Sequence, residues 1–96
     1  MIFEIDGNSV FSEEDFHKQV KKFFAIRCYG CNCHALYDLL TGMVDRPLQF
    51  VWYNSELSKQ RLNKNFIWIV RVFDRVIEFD KGVQKKTDDI FSYVLL

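Results

Sequence analysis

The stretch that decides the fold runs from Arg27 to Pro47 and reads RCYGCNCHALYDLLTGMVDRP. Asn32 is a residue type that caps helices, and Gly42 is one that ends them in a left-handed conformation. The sequence therefore predicts a helix from about Cys33 to Thr41, preceded by a glycine-bearing loop and followed by Gly42.

The two faces of this helix differ in polarity. With about 100° of rotation per residue, the apolar side consists of Leu36, Leu39, Leu40 and Met43. The opposite side consists of His34, Tyr37, Asp38 and Thr41. We expect the first set to pack in a core and the second to face water or a partner.

A strand and a helix are predicted before this stretch. Alternating apolar residues from Ile2 to Ile5 indicate a short strand, and Ser12 followed by acidic residues indicates a helix start. The helix is expected from about Ser12 to Phe24, with Phe16, Val20, Phe23 and Phe24 in the core. This assignment leaves the polar residues outside, namely His17, Lys18, Lys21 and Lys22.

Four elements are predicted after Pro47. The first two are a buried strand from Leu48 to Tyr53 and a short helix near Glu56 to Leu62, which Asn54-Ser55 can cap. A longer helix from Phe66 to Phe79 follows, with Asn65 as its cap. A polar loop over 80–88 then leads to a last strand over 90–96. The long helix should bury Ile67, Ile69, Val70, Phe73, Val76 and Ile77. The order of elements favours an α/β domain with a three-stranded parallel sheet and about four helices.

The composition bounds the class of protein. The chain has 96 residues, which predicts one domain over residues 1–96, and its hydrophobic fraction of 49% argues against disorder. The formal net charge is zero, so the overall charge gives no argument for binding to nucleic acid or to a membrane. We see no membrane-length apolar run and no signal peptide in MIFEIDGNS, so the expected location is the cytoplasm.

The cysteines and histidines suggest two kinds of chemistry. Cys28, Cys31, Cys33 and His34 are possible zinc ligands, but four ligands within seven residues would strain a tetrahedral site. A thiol hydrolase could use a cysteine as nucleophile, His34 as base and Asp38 as its orienting group. A solvated helix pair is the commoner meaning of that His34-Asp38 spacing, so we expect reduced thiols, no metal, no cofactor and no catalytic residue.

A stripe on the long helix indicates a second surface feature. Trp68, Val72, Arg75 and Phe79 recur at helical spacing, away from the centre of the predicted core face. An arginine bracketed by aromatic residues is typical of binding hot spots. Packing under neighbouring loops is the alternative.

These residues resemble the barstar family, intracellular inhibitors of secreted ribonucleases of the barnase type. The resemblance covers nearly the whole chain and is strongest in YGCNCHALYDLLTG, from Tyr29 to Gly42, which is similar to the family signature. Pro47 follows at the family spacing. LSKQ at 57–60 and VF at 72–73 add weaker matches.

The resemblance implies an inhibitor that blocks a nuclease active site with the loop and helix of residues 28–45. It places Asp38 where the substrate phosphate would bind, and truncation of that carboxylate should be the costliest substitution for binding. The predicted partner-binding set is Asp38, Tyr29, Gly30, Asn32, His34, Tyr37, Thr41, Met43, Arg75 and Phe79. The family also suggests a cis bond at Arg46-Pro47.

The chain departs from the family pattern at several of these positions. His34, Arg75 and Phe79 stand where the best-studied members carry acidic residues, and Cys28 replaces an aromatic residue. The resemblance implies that the partner is a ribonuclease or ribonuclease-like toxin, bound by a monomer of this chain in a 1:1 complex. The departures imply that the partner has an acidic or mixed surface opposite Arg75 and His34. An immunity or regulatory protein for a non-ribonuclease toxin is the alternative, and a thiol or zinc enzyme is the third.

Overall fold

The computed structural model describes residues 1–26, 29–42, 44–83 and 89–96. Within them the chain forms, in order, β1 (Ile2–Asp6), a 3-10 helix (Gly7–Ser9), α1 (Glu13–Phe24), α2 (Cys33–Gly42), β2 (Leu48–Tyr53), α3 (Ser55–Leu62), α4 (Lys64–Val83) and β3 (Phe91–Leu95). None of the helices in the described residues is long and apolar enough to cross a membrane.

The three strands form one parallel sheet in the order β1-β2-β3. Ile5 lies opposite Trp52, and Leu48 lies opposite Phe91. The connections from β1 to β2 and from β2 to β3 both run through helices, as parallel pairing requires. The prediction of a three-stranded parallel sheet with four helices is confirmed.

One face of the sheet carries the core. In β1 and β2 alternate residues are buried, which is the pattern of a sheet covered on one side. Aromatic rings join the layers, because Trp52 stacks on Phe16 of α1 at 5.0 Å and Phe50 meets Phe73 of α4 at 5.3 Å. This core supports α4, on which α2 is packed.

The first helix is capped as predicted but is rotated differently about its axis. The Ser12 hydroxyl accepts a hydrogen bond from the Asp15 backbone N–H, which confirms the predicted start. His17 is wholly buried, so its assignment to the outer face was wrong, whereas Phe23 of the predicted core is 38% exposed. The burial follows from a contact with Tyr29, which lies far along the sequence.

The fourth helix is longer than predicted. It begins at Lys64, so Asn65 is not its cap, and it continues to Val83, so residues 80–83 of the predicted loop are helical. Asp80 is buried because its carboxylate accepts hydrogen bonds from the Arg46 side chain and from the Phe91 backbone N–H. Residues 84–88 of that loop lie outside the described residues.

The burial pattern of α4 also corrects two assignments. Ile67, predicted in the core, is 48% exposed, and Val72, predicted in the outer stripe, is buried. The packing of α2 against α4, which the sequence does not show, shifts the buried face of α4 so that it includes Val72.

The caps of α2 and α3 are partly as predicted. Gly42 is the last residue of α2, but it has no positive φ, so the left-handed ending is wrong. Asn54 precedes α3 without a side-chain cap bond. The Arg46-Pro47 peptide is cis.

Candidate functional site

The loop before α2 is held in place by Asn32. Its Oδ1 accepts a hydrogen bond from the Ala35 backbone N–H at 2.8 Å, and its Nδ2 donates to the Gly30 carbonyl at 3.1 Å. The predicted cap is thus confirmed. A Cβ at Gly30 would lie 3.2 Å from atoms of Ala35 and Asn32, so the loop is folded tightly against the first turn of α2.

Tyr29 anchors the same loop to α1. Its hydroxyl lies 2.7 Å from Nδ1 of His17. Burial lowers the pKa of His17 to about 4 and raises the pKa of Tyr29, so both groups are neutral at pH 7. Nε2 of His17 is 3.8 Å from the Glu13 carboxylate and has no hydrogen-bond partner among the described residues. The Tyr29 hydroxyl therefore points into the protein, and only part of the ring reaches the surface.

The outer face of α2 carries an exposed carboxylate. The side chain of Asp38 is 68% exposed and that of His34 is 90% exposed, with 3.9 Å between Oδ2 and Nε2. A contact of this length between exposed groups holds neither side chain firmly. The Asp38 carboxylate is therefore exposed and can accept further hydrogen bonds.

Tyr37 connects α2 to α4. Its ring is half-buried and meets the edge of Phe79, with 6.5 Å between ring centroids. Its backbone carbonyl accepts a hydrogen bond from the Thr41 hydroxyl at 2.8 Å, so the polar end of Thr41 is already satisfied. Met43, which was predicted in the core and in the partner-binding set, lies outside the described residues.

The α4 side of the site is aromatic and cationic. Trp68 is 52% exposed, and the guanidinium carbon of Arg71 lies 5.0 Å from the centroid of its ring. The guanidinium carbon of Arg75 lies 5.4 Å from the centroid of the Tyr37 ring. Both distances are within the range of cation–π contacts.

A cleft of about 460 Å³ separates α2 from α4. Its lining residues are Cys33, His34, Tyr37 and Asp38 from α2, and Trp68, Arg71, Val72 and Arg75 from α4. The acidic group lies on the α2 rim and the two arginines lie on the α4 rim. We call this feature the α2/α4 cleft.

The structure brings part of the predicted partner-binding set together. His34, Tyr37, Asp38 and Arg75 line the α2/α4 cleft. Tyr29, Gly30 and Asn32 belong to the loop before α2, while Thr41 and Phe79 each contact Tyr37. Arg71 was missed, although its place three residues after Trp68 and four before Arg75 puts it on the same helix face.

A larger groove lies elsewhere, between β1 and α1. Its volume is about 610 Å³, and its lining residues are Ile2, Phe3, Glu4, Asp6, Ser9, Gln19, Lys22 and Phe23. None of the predicted partner-binding residues is among them. The larger volume of this groove is therefore no reason to prefer it as the candidate site over the α2/α4 cleft, which contains the charged side chains of α2 and α4.

Cys33, the first residue of α2, does not have the properties of a nucleophile. Cys31 and Cys33 are free thiols, and the Cys33 thiol donates to a carboxylate oxygen of Glu13 at 3.7 Å. Burial and the nearby carboxylate raise the pKa of Cys33 to about 11, whereas a catalytic cysteine needs a lowered pKa. Cys28 lies outside the described residues.

The fold is that of a small α/β domain, which presents a tightly held loop and one charged helix face on its surface. The chain belongs to the Barstar family (barnase inhibitor), whose model matches residues 1–93. It is 34% identical over 92 residues to the putative ribonuclease inhibitor YrdF of Bacillus subtilis (strain 168), a match that covers 95% of this chain and 93% of that protein. The family predicted from the Tyr29 to Gly42 stretch is confirmed.

Proposed function

We propose that this chain inhibits a secreted barnase-like ribonuclease, or a ribonuclease toxin, by covering its active site with the loop and helix of residues 28–45. Membership of the Barstar family and the similarity to a putative ribonuclease inhibitor support this role. The observation that carries it is the exposed Asp38 carboxylate on the α2 rim of the cleft.

The chemistry of Asp38 suits a ribonuclease active site. Such a site must bind an RNA phosphate, so it offers cationic donors, and a carboxylate accepts the same charge-assisted and often bidentate hydrogen bonds. Binding would not require the Asp38 carboxylate to break a hydrogen bond within the described residues, because its contact with His34 is 3.9 Å long. Burial against the enzyme would strengthen the new bonds by excluding water.

The rigidity of the segment adds to affinity. Leu36, Leu39 and Leu40 anchor the inner face of α2 in the core, and Asn32 fixes its first turn. A segment that is ordered before binding loses less conformational entropy in the complex. The backbone of Asp38 is therefore held at a fixed position, from which its exposed side chain can turn toward the enzyme.

The partner is expected to be a protein. The chain acts as a monomer in a 1:1 complex, in the cytoplasm of the cell that produces the ribonuclease, and needs no cofactor. With a formal net charge of zero, it has no electrostatic drive toward RNA itself. The raised pKa of Cys33 weighs against the thiol enzyme.

The experiment is a titration of purified barnase with this chain, measured by hydrolysis of a short RNA substrate. We expect inhibition that is complete at equimolar inhibitor and whose rate of onset falls as the RNA substrate concentration is raised, because substrate and inhibitor compete for the same active site. Binding without inhibition would favour the immunity or regulatory protein. A rate of onset that does not depend on the substrate concentration would contradict the blocked active site.

A further inference from the structure

Two arginines on the α4 rim of the cleft share an unusual environment. Arg71 and Arg75 are both exposed, and both line the cleft that Asp38 lines from the other side. Each guanidinium lies over an aromatic ring, Arg71 over Trp68 and Arg75 over Tyr37. Stacking restricts the rotamers of the guanidinium but leaves its N–H groups free to donate in its own plane.

Neither arginine is neutralised by a carboxylate of residues 1–26, 29–42, 44–83 or 89–96. Among the described residues, no carboxylate oxygen lies within salt-bridge distance of Arg71 or Arg75. Asp74, which lies between them in sequence, instead accepts a hydrogen bond from the Tyr93 hydroxyl at 2.6 Å. Within the part of the chain that the structure describes, two pre-positioned cations therefore stand unpaired beside the proposed binding carboxylate.

This arrangement sets the charge pattern of a fitting partner. A surface that offered only cations to the cleft would satisfy Asp38 but would be repelled by both arginines. A carboxylate opposite the α4 rim would instead form bidentate, charge-assisted bonds with a guanidinium. A partner that is complementary in charge to the whole cleft must therefore carry an acidic group next to a basic one.

We propose that Arg71 and Arg75 form a specificity subsite that binds an aspartate or glutamate side chain of the ribonuclease, beside the cationic group that binds Asp38. The inference rests on the proposed function, because it assumes that the α2/α4 cleft faces the enzyme. In this arrangement Arg71 and Arg75 of α4 determine which ribonucleases bind, while Asp38 of α2 binds the cationic group of the active site.

The test uses barnase and a set of its variants, each with one lysine or arginine around the active-site opening replaced by glutamate. Affinity for the wild-type chain is measured by calorimetry, and is compared with R71E, R75E and the double variant. The matched control for each single variant is K81E, which makes the same charge change on α4 outside the cleft. A melting curve for each variant establishes that it is folded.

We expect at least one glutamate variant of barnase to bind the wild-type chain at least 10-fold more tightly than its parent. That gain should vanish with the double arginine variant, persist with K81E, and shrink with R75K, which keeps the charge but loses the planar fork. The inference is overturned if the parent barnase binds through Asp38 and no glutamate variant binds more tightly, or if a gain survives the loss of both arginines. If neither the parent nor any variant binds, the proposed function fails as well.

Discussion

The buried pair of Arg46 and Asp80 offers a sharp test of how the site is supported. Nε and Nη2 of Arg46 donate to the two carboxylate oxygens of Asp80 at 2.7 and 3.0 Å, and the Phe91 backbone N–H donates to Oδ2 at 2.6 Å. Arg46 also donates to the backbone carbonyls of Leu40 and Val44. One ion pair therefore joins the end of α2, the end of α4 and the start of β3.

Asp80→Ala should strongly destabilise the fold. Both side chains are nearly inaccessible, 3% exposed for Asp80 and 10% for Arg46. Removal of one partner leaves a buried charge and costs about 3 to 5 kcal/mol, and the orphaned Phe91 amide adds to the loss. With a urea dependence of about 1 to 2 kcal/mol per molar, the midpoint of unfolding should fall by about 1.5 to 5 M.

Urea unfolding followed by circular dichroism measures this loss, with Asp45→Ala as the control, since Asp45 is exposed and precedes Arg46. The double variant R46L/D80L should lose less than the sum of the two single variants, because it leaves no unpaired charge. A loss below about 1 kcal/mol for Asp80→Ala, or strictly additive losses in the double variant, would refute this reasoning.

Two further predictions concern the loop that precedes α2. The unfolded chain protonates His17 near pH 6.5 but the folded chain only near pH 4, so the unfolding free energy should fall by up to about 3 kcal/mol as the pH is lowered through this window. His17→Gln should flatten that dependence in urea unfolding from pH 7 to 4, and an unchanged slope would contradict the assignment. In a C28S/C31S variant, iodoacetamide should alkylate Cys33 about 100-fold more slowly than a free cysteine at pH 7.4, because its pKa is raised to about 11. Equal rates would show that the thiol is not protected.

The sequence predicted elements well where the pattern is local. The strand Leu48–Tyr53 is found with the same bounds, and the Ser12 and Asn32 caps are formed. These features depend on neighbouring residues, so they can be read without knowledge of the fold.

The errors arise where a distant residue decides the environment. His17 is buried because Tyr29 closes over it, and Asp80 is helical and buried because Arg46 reaches it from 34 residues away. Val72 is turned inward by the packing of α4 against α2. Helical spacing gives the relative positions of side chains on a helix, but tertiary contacts decide which of them are covered.

The candidate site was predictable to a similar extent. The importance of Asp38 came from the family resemblance, whereas Trp68 and Arg75 came from their spacing on the helix. Arg71 was missed because a charged residue on a helix usually marks a solvated face, and only its contact with Trp68 and its place in the α2/α4 cleft distinguish it. Its role stays a prediction, like that of the other partner-binding residues.

The central claim, that Asp38 is the anchor of an active-site inhibitor, is tested most directly by the inhibition constant of Asp38→Asn against barnase. The substitution keeps the shape of the side chain and removes its charge, and Glu56→Gln, an exposed acid on α3, is the matched control. We expect Asp38→Asn to weaken inhibition by at least about 100-fold, since loss of a buried charge pair costs about 3 kcal/mol or more. Equal inhibition by Asp38→Asn and Glu56→Gln would contradict the account.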